Sequence, residues 1–325
     1  MAEGIRMKLQ YLLAGSYAYD TVLRHPHAFQ QRILPHAIDK LNVSFSLDSV
    51  AEEFGGCAGN IAYNAALLWD EPMLVGNVGA DGERYLKRLE SWGLDNTTLG
   101  FVPDRPTAHA WLLSDARGNQ LTSFHAGALK APVRVPAAAP DLWHIGPEDQ
   151  ANMVTLALAA REAGAAYFFD PGQALPALLD GVAEDIAPLE HVLADATGIF
   201  VNEYETELLR GQFPDLRTLL IRPDQFIVCT RGADGVEVLS HDGRLMLPCA
   251  KADAVVDPTG CGDAFRAGFL HGYARDWSLA DCAALGSVMG ALAVGSVGGQ
   301  NHRATRVQVY ARLRDYQETL QKRAA

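Results

Sequence analysis

The feature that most constrains the fold is an alternation of short apolar runs with longer segments whose apolar residues recur at helical spacing. Such alternation predicts an α/β fold with a mostly parallel, Rossmann-like sheet and helices on both of its faces. Ligands of these sheets bind at the carboxyl ends of the strands, so we expect the functional site there. The predicted strands are residues 9–14, 73–78, 142–145, 166–169, 199–201 and 226–230, and the predicted helices are residues 59–69, 82–92, 149–163 and 203–210.

Two regions interrupt this alternation. Residues 41–50 and 108–124 are strand-like with a period of two, and neither has a helical segment beside it. The second region contains a turn at residues 115–119, which predicts a β-hairpin. We expect both regions to form a small antiparallel β-sheet that acts as a lid. The expected division is a large α/β domain of residues 1–20, 57–100 and 126–325, and a discontinuous lid of residues 21–56 and 101–125.

The run from Asp257 to Phe269 is the most informative for function. Val255 and Val256 predict a strand, and a glycine-rich turn then opens a helical pattern. The first amides of a helix lack intrahelical partners and lie at the positive end of its dipole. We therefore expect three amides to converge on an anion, those of Gly260, Cys261 and Gly262.

Asp263 follows this predicted anion site directly. A carboxylate beside a bound phosphate is unfavourable unless it has a role, such as accepting the proton of a hydroxyl that attacks the phosphorus. The structural alternative is that Asp263 only caps the helix. The glycines on both sides favour the catalytic interpretation.

The charge of the chain limits its partners. The 325 residues include 27 Lys and Arg against 39 Asp and Glu, a formal net charge of −12 at pH 7. Because this charge repels nucleic acids and anionic membranes, we expect neither as a partner. The 5 cysteines contain no Cys-x-x-Cys pair, which predicts reduced thiols in a cytoplasmic protein. The N-terminal segment shows neither a signal-peptide pattern nor a membrane span.

Several competing motifs are missing. The sequence has no Gly-Lys-Ser/Thr of a P-loop and no Gly-x-Gly-x-x-Gly of a dinucleotide-binding turn. Neither a Walker-type ATPase nor a dinucleotide-dependent dehydrogenase is therefore favoured. The histidines show no metal-ligand spacing, and His125 and His144 are interpreted as structural or solvent-facing and not as metal ligands. Asp170 and Glu148 are isolated in the sequence, and we predict no carboxylate pair from them.

Two clusters near the N-terminus suit a compact polar ligand. The segment from Gly55 to Asn60 begins a helix with small residues, which let a ligand approach the backbone while Asn60 donates and accepts hydrogen bonds. The segment from Gly15 to Asp20 leaves the first strand and places a carboxylate where a sugar diol could bind. A turn with a helix cap is the structural alternative for the first cluster.

Two later clusters suit a nucleotide and its metal. Asn202 and Glu205 follow a strand and share a helix face that could hold a hydrated Mg²⁺, or equally form a capping box. The segment Thr230-x-Gly232-x-x-Gly235 joins two predicted strands, and a simple hairpin would explain it as well.

In this order the motifs resemble those of the ribokinase-like (PfkB) family of carbohydrate and nucleoside kinases, over nearly the whole chain. Within the family they are most similar to bacterial adenosine and related purine nucleoside kinases. The segments that carry the resemblance are Gly55-Gly56-x-x-x-Asn60, Asn202-x-x-Glu205, Thr230-x-Gly232-x-x-Gly235 and the run from Asp257 to Asp263. Pro258 and Cys261 depart from the residues most frequent across the wider family.

The resemblance implies transfer of the ATP γ-phosphate to the 5′-hydroxyl of a purine nucleoside, adenosine first, with Asp263 as general base. It implies that Gly260, Cys261 and Gly262 stabilise the phosphoryl group. By the same resemblance, the nucleoside is bound by Ser16, Asp20, Ser44, Phe45, Gly56, Asn60 and Phe124, and the nucleotide by Asn202, Thr230, Gly232 and Gly235. Mg²⁺ is held through water by Glu205 and Asn202, and a monovalent cation such as K⁺ by Asp257 and Thr259.

Two other functions stay open at this point. A ribokinase or fructokinase would keep all the residues of the chemistry and differ only in the lid and around Asp20. A non-catalytic nucleoside sensor would have no need of Asp263. Apolar and aromatic residues in the lid strands, including Phe45, Trp111 and Phe124, favour a nucleoside with its flat base over a free sugar. The sequence leaves the number of subunits open, and a homodimer is one alternative.

Overall fold

The computed structural model describes residues 11–33, 42–117 and 119–324. The strands in this part of the chain are β1 (Leu12–Ala14), β2 (Ala18–Arg24), β3 (Ser49–Gly55), β4 (Met73–Val75), β5 (Asn77–Gly79), β6 (Gly100–Val102), β7 (Ala108–Ser114), β8 (Gln120–His125), β9 (Leu142–Ile145), β10 (Ala166–Phe169), β11 (Gly198–Asn202), β12 (Phe226–Thr230), β13 (Val236–Ser240) and β14 (Gly243–Leu247). The α-helices are α1 (Cys57–Leu67), α2 (Glu83–Glu90), α3 (Gln150–Glu162), α4 (Leu175–Leu179), α5 (Leu189–Asp195), α6 (Glu203–Gln212), α7 (Cys261–Tyr273), α8 (Leu279–Ala293) and α9 (Arg306–Ala324).

The main sheet has the order β14-β13-β12-β11-β10-β9-β1-β4. The pairs from β4 to β12 are parallel, and β13 and β14 extend the edge as antiparallel strands. This confirms the α/β fold with a mostly parallel sheet. Within the described residues no helix combines the length and apolar character needed to cross a membrane.

Two apolar layers enclose the sheet, because successive strand residues point to opposite faces. On one face Leu13, Phe168 and Phe226 join a buried cluster with residues of α1, α7, α8 and α9. On the other face Leu12 and Phe169 pack with residues of α3, α4, α5 and α6. The candidate site lies at the carboxyl ends of the parallel strands, where Asp170, directly after β10, pairs with Arg266 of α7.

The lid is a separate sheet of the order β3-β2-β7-β8. The pairs β2/β3 and β7/β8 are antiparallel, whereas β2 and β7 run parallel. The predicted hairpin is confirmed, with β7 and β8 on either side of its turn. Strand β2 begins at Ala18, inside the segment expected for the large domain, so Asp20 lies on a lid strand. The proposed division into two domains stays a prediction.

The predicted strand over residues 41–50 is wrong for most of its length. Residues 42–48 form no strand, Leu41 lies outside the described residues, and β3 begins only at Ser49. The alternation of apolar and polar residues in this segment has another cause. Phe45 packs its ring against Phe29 and His25, with ring centroids 5.1 Å from each, so one side of an irregular segment is covered.

Two further predictions need correction. Residues 73–78 form two strands, because Gly76 has a φ of 149° and a Cβ there would lie 2.5 Å from the Gly15 carbonyl oxygen. Val255 and Val256 form no strand before the glycine turn, and Val255 is exposed. The amides of Val256 and Asp257 both donate to the Val294 carbonyl instead.

Candidate active site

The glycine turn before α7 is held in place by a second glycine segment. Gly260 precedes the helix with a φ of 75°, and a Cβ on it would lie 2.5 Å from the Cα of Gly299. Only glycine combines this backbone conformation with so close a contact. The amide of Cys261 donates to the Pro258 carbonyl at 3.2 Å, so this amide already closes the turn. Among the three predicted anion-binding amides, Gly260 and Gly262 are therefore the better candidates.

Asp263 lies in the first turn of α7, beside this backbone. Its carboxylate accepts a hydrogen bond from the Asn60 side-chain amide at 2.7 Å. Burial raises the pKa of Asp263 to about 6, and the Asn60 hydrogen bond and the Arg266 charge offset part of this rise. The carboxylate is thus ionised at neutral pH and close to the proton affinity that suits a general base. The structure brings together Asn60 and Asp263, two residues that the sequence predicted for one site.

Gln300 was missed by sequence reasoning, although it completes this pair. Its side chain is buried and donates to the Asn60 side-chain oxygen at 3.0 Å and to the Tyr85 hydroxyl at 2.9 Å. The preceding Gly299 lies so close that a Cβ on it would be 2.6 Å from the Asn60 amide carbon. The Gly-Gly-Gln sequence at residues 298–300, just after a long helix, was the available signal.

Arg266 and Asp170 form a buried ion pair near the site. The guanidinium donates to both carboxylate oxygens, at 2.7 Å and 3.2 Å. Burial alone would raise the pKa of Asp170, but the charge of Arg266 and the hydrogen bonds from His144 and Arg266 together outweigh it and hold the pKa below its usual range. His144 approaches the same carboxylate at 3.4 Å. The sequence predicts no carboxylate pair from Asp170 and only a structural or solvent-facing place for His144, whereas the parallel sheet brings both to α7.

Glu148 and Tyr17 are two further buried polar residues at this edge of the sheet. Glu148 follows β9, and burial raises its pKa to about 8. Among the described residues, its Oε2 atom and the Tyr17 hydroxyl have no hydrogen-bond partner. Sequence reasoning gave neither of them a role. Both are candidates for contact with a polar ligand.

Asp257 ties the glycine turn to the segment after α8. One carboxylate oxygen accepts from the Thr259 amide at 2.9 Å and the other accepts from the Gly298 amide at 2.9 Å. Burial would raise the pKa of Asp257, but these hydrogen bonds outweigh it and lower the pKa. The carboxylate is therefore anionic in a loop that could hold a monovalent cation. That cation role stays a prediction.

Asn202 and Glu205 form the capping box that was the structural alternative at this position. The Glu205 amide donates to the Asn202 side chain, and the Asn202 amide donates to the Glu205 carboxylate at 2.8 Å. The Asn202 side-chain amide also donates to Glu205, at 2.9 Å. Among the described residues no group of three or more His, Cys, Asp or Glu side chains could hold a metal ion. A contact of Glu205 with Mg²⁺ through water stays a prediction.

The Thr230 to Gly235 segment joins β12 to the antiparallel strand β13. Gly232 and Gly235 have φ values of 51° and 96°, and a Cβ on Gly235 would lie 2.0 Å from the Leu247 carbonyl oxygen. The Thr230 hydroxyl contacts the Val201 carbonyl at 3.4 Å. The glycines are therefore required by the hairpin itself, and a nucleotide contact at this loop stays a prediction.

Ser16 and Gly56 form the start of α1. The buried Ser16 hydroxyl accepts from the Cys57 amide at 3.0 Å, which caps the helix from the end of β1. Gly56 has a φ of 82°, and a Cβ on it would lie 2.5 Å from the Ser16 carbonyl oxygen. This contact holds the β1 end against α1, four residues before Asn60.

Asp20 and Phe124 lie on one face of the lid. In the sheet register Asp20 pairs with Ala110 and with Glu53, and Ala110 pairs with Phe124, so these four side chains share a face. Glu53 accepts from Asn301 at 2.6 Å, which turns this face toward the segment beside Gln300. Burial and the Glu53 charge raise the pKa of Asp20 to about 6.

The other predicted lid contacts are placed differently. Trp111 lies on the opposite face from Phe124, stacked on His109 with ring centroids 4.4 Å apart. The two aromatic residues therefore do not form one surface. Ser44 is exposed and Phe45 packs against Phe29, both in the irregular segment before β3. Their contact with a base stays a prediction.

The sequence and the fold of this chain are similar to those of known proteins. Residues 18–306 match the model of the pfkB family carbohydrate kinases. The chain is 32% identical over 283 residues to a nucleoside kinase of Methanocaldococcus jannaschii, covering 84% of this chain and 89% of that protein. It is 29% identical over 301 residues to an ATP-dependent ribose-1-phosphate kinase of Halopiger xanaduensis, covering 90% of this chain and 94% of that protein.

A solved structure is similar over nearly the full length. The nucleoside kinase of Burkholderia thailandensis in complex with inosine superposes with a TM-score of 0.81 at 34% sequence identity. The match covers 94% of this chain and 97% of that structure. The fold is therefore that of a known enzyme architecture.

Proposed function

The chain belongs to the pfkB family of carbohydrate kinases, and we propose that it transfers the γ-phosphate of ATP to the 5′-hydroxyl of a nucleoside. The observation that carries this proposal is the Asp263 carboxylate, held by Asn60 beside the glycine-led N-terminus of α7. This arrangement supports a base next to a site for phosphate. The two nucleoside kinases that the chain resembles support the nucleoside as acceptor.

In the proposed reaction Asp263 accepts the proton of the 5′-hydroxyl. The hydroxyl oxygen forms a bond to the γ-phosphorus, and the bond from that phosphorus to the bridging oxygen of ADP breaks. Negative charge on the transferred group lies mainly on its equatorial oxygens. The backbone amides of Gly260 and Gly262, at the positive end of α7, stabilise that charge. The products are a nucleoside monophosphate and ADP.

The lid suggests how the nucleoside is oriented. Asp20 and Phe124 lie on the same face and are separated by one strand, β7, so they are about 10 Å apart. This spacing suits a ribose hydrogen-bonded to Asp20 and a base against Phe124, whose side chain is 51% exposed. A purine offers the larger apolar face for such a contact. We therefore infer a purine nucleoside, with adenosine and inosine as first candidates.

Two cations belong to the proposal. Mg²⁺ bound with ATP would neutralise phosphate charge, and Glu205 would reach it through water, since both of its carboxylate oxygens accept from Asn202. A monovalent cation such as K⁺ would lie beside the anionic Asp257 and Thr259 and complement the loop that leads to Gly260.

A steady-state panel tests the proposal directly. Adenosine, inosine, guanosine, cytidine, ribose, fructose and ribose 1-phosphate are compared with ATP and Mg²⁺. We expect kcat/KM for purine nucleosides to exceed that for ribose or fructose by at least about a hundredfold, because burial of the base contributes roughly 3 kcal/mol. A sugar as the best substrate would contradict the nucleoside assignment and leave the phosphotransfer chemistry in place.

A sugar phosphate is the second candidate acceptor. The relative of Halopiger xanaduensis is named as a ribose-1-phosphate kinase and matches almost the whole chain. Such a substrate carries an anionic group where a nucleoside carries its base. The exposed Phe124 ring does not complement a phosphate, whereas it complements a base. Ribose 1-phosphate in the same panel decides between the two.

A further inference from the structure

A chain of hydrogen bonds leads from the lid to Asp263. The Tyr85 hydroxyl donates to the backbone carbonyl of Gly55 at 2.5 Å, at the end of lid strand β3. Gln300 donates to the Tyr85 oxygen at 2.9 Å and to the Asn60 side-chain oxygen at 3.0 Å. Asn60 in turn donates to Asp263 at 2.7 Å. The five groups come from separate parts of the fold, namely β3, α2, the segment after α8, α1 and α7.

The direction of this chain is fixed at its start. A backbone carbonyl can only accept, so the single hydroxyl proton of Tyr85 points to Gly55. The Tyr85 oxygen must then accept from Gln300, which turns the NH₂ group of Gln300 toward both of its partners. The side-chain oxygen of Asn60 therefore faces Gln300. Its NH₂ group is left to face Asp263.

We infer that Gln300 is a positioning residue, which fixes the side-chain amide of Asn60 so that its NH₂ group donates to the carboxylate of Asp263. A flipped Asn60 amide would place its oxygen against the carboxylate, where two acceptors repel each other. The surrounding packing leaves the Tyr85 and Asn60 side chains little room to move. A Cβ on Gly59 would lie 1.8 Å from the Tyr85 hydroxyl, and a Cβ on Gly299 would lie 2.6 Å from the Asn60 amide carbon.

This inference gives the base a defined protonation state. The hydrogen bond from Asn60 favours the ionised carboxylate and so counteracts the effect of burial on the pKa of Asp263. Without the Gln300 donor, Asn60 can flip when Asp263 is protonated, because its side-chain oxygen then accepts from the carboxyl O–H. This stabilises the protonated form, and the pKa of Asp263 rises. The inference rests on the proposed function for its catalytic meaning, but the effect on the carboxyl group is measurable without substrate.

The test uses the free enzyme labelled with carbon-13 at the Asp carboxyl groups, with the Asp263 signal assigned by its loss in Asp263→Asn. We expect a midpoint near pH 6 in the wild type. In Gln300→Met the midpoint should rise by about one unit, as in Asn60→Ala. In the double variant Gln300→Met/Asn60→Ala it should equal that of Asn60→Ala alone, because Gln300 acts through Asn60.

Gln317→Met is the matched control, since it removes a glutamine that donates to Asp281 in the first turn of α8. It should leave the Asp263 midpoint unchanged. Gln300→Leu replaces Gln300→Met if the longer side chain prevents folding. An unchanged midpoint in the Gln300 variants, or an additive effect in the double variant, would overturn the inference.

The pH profile of kcat/KM separates the inference from the proposed function. If both hold, the acid limb of nucleoside phosphorylation moves upward in Gln300→Met together with the NMR midpoint. If the wild type phosphorylates no nucleoside while the NMR midpoints shift as expected, the proposed function fails and the positioning role stands. If nucleosides are phosphorylated and the midpoint does not move, only the positioning role fails.

Discussion

Arg266 donates to both carboxylate oxygens of Asp170 in the core beneath the candidate site. Arg266 is three residues after Asp263 on α7, so the pair also brings a positive charge near the proposed base. Both side chains are almost fully buried. A break in this pair would leave one buried charge without a partner.

We therefore predict that Arg266→Met lowers the free energy of unfolding by about 3–5 kcal/mol, because Asp170 stays buried and uncompensated. Urea unfolding measures this. Adding Asp170→Asn should restore part of the loss. The control is Arg161→Met, which breaks an exposed pair with Asp195 and should cost less than about 1 kcal/mol. Equal losses in the two single variants would contradict the account.

Activity should fall in acid. Burial raises the pKa of Asp263 to about 6, and a general base works only when ionised, so kcat/KM is retained above pH 6 and lost as the pH falls through it. The pKa of Asp20 is also about 6, raised by burial and by Glu53. In Asp20→Asn the acid limb of kcat should remain, since Asp263 still titrates. A kcat independent of pH between 5 and 8 would argue against Asp263 as the base.

Glu205 offers a test of the magnesium role. Glu205→Ala removes one half of the capping box and should destabilise the protein by about 1 kcal/mol whatever its role with metal. Glu205→Gln keeps an acceptor for the Asn202 amide but removes the charge. If Glu205 organises Mg²⁺ through water, Glu205→Gln should raise the Mg²⁺ concentration for half-maximal activity at nearly unchanged stability. An unchanged Mg²⁺ titration would leave Glu205 with a structural role only.

The lid face can be tested with two residues of β8. Phe124 shares a face with Asp20, whereas Leu121 points to the opposite face and is similarly exposed, at 49% against 51%. Phe124→Ala should raise KM for a purine nucleoside more than KM for ribose, because the base loses its apolar contact. Leu121→Ala should change neither. The same KM increase for both substrates in Phe124→Ala would show that the ring supports the lid and does not contact the base.

Much of the fold followed from the sequence because the alternation of strand and helix patterns is a local signal. Strands β9, β10 and β12 were predicted at their observed bounds, and α3 within one residue at each end. The lid was harder. Strand β2 was not recognised because it directly follows the first strand, and the pattern before β3 arose from Phe45 packing on Phe29.

The site residues likewise fall into those that a local sequence pattern predicts and those that it does not. The glycine turn and Asp263 are contiguous in the sequence, so their motif was visible. Gln300, Arg266 and Asp170 act through contacts between residues 96 to 240 positions apart, which no local pattern encodes. For Asn202 and Glu205 the local pattern is visible in the sequence, but it fits two different structures. Their spacing predicted both a metal site and a capping box, and the structure shows that the capping box forms.

The most direct test of the central claim is the activity of Asp263→Asn. Steady-state phosphorylation of adenosine and inosine with ATP and Mg²⁺ is measured beside the affinity of the variant for the nucleoside. The account predicts a fall in kcat of about a hundredfold or more with little change in affinity, since a general base contributes roughly 10²–10⁴ to the rate. A kcat near that of the wild type, in a folded variant, would contradict the assignment of Asp263 as the catalytic base.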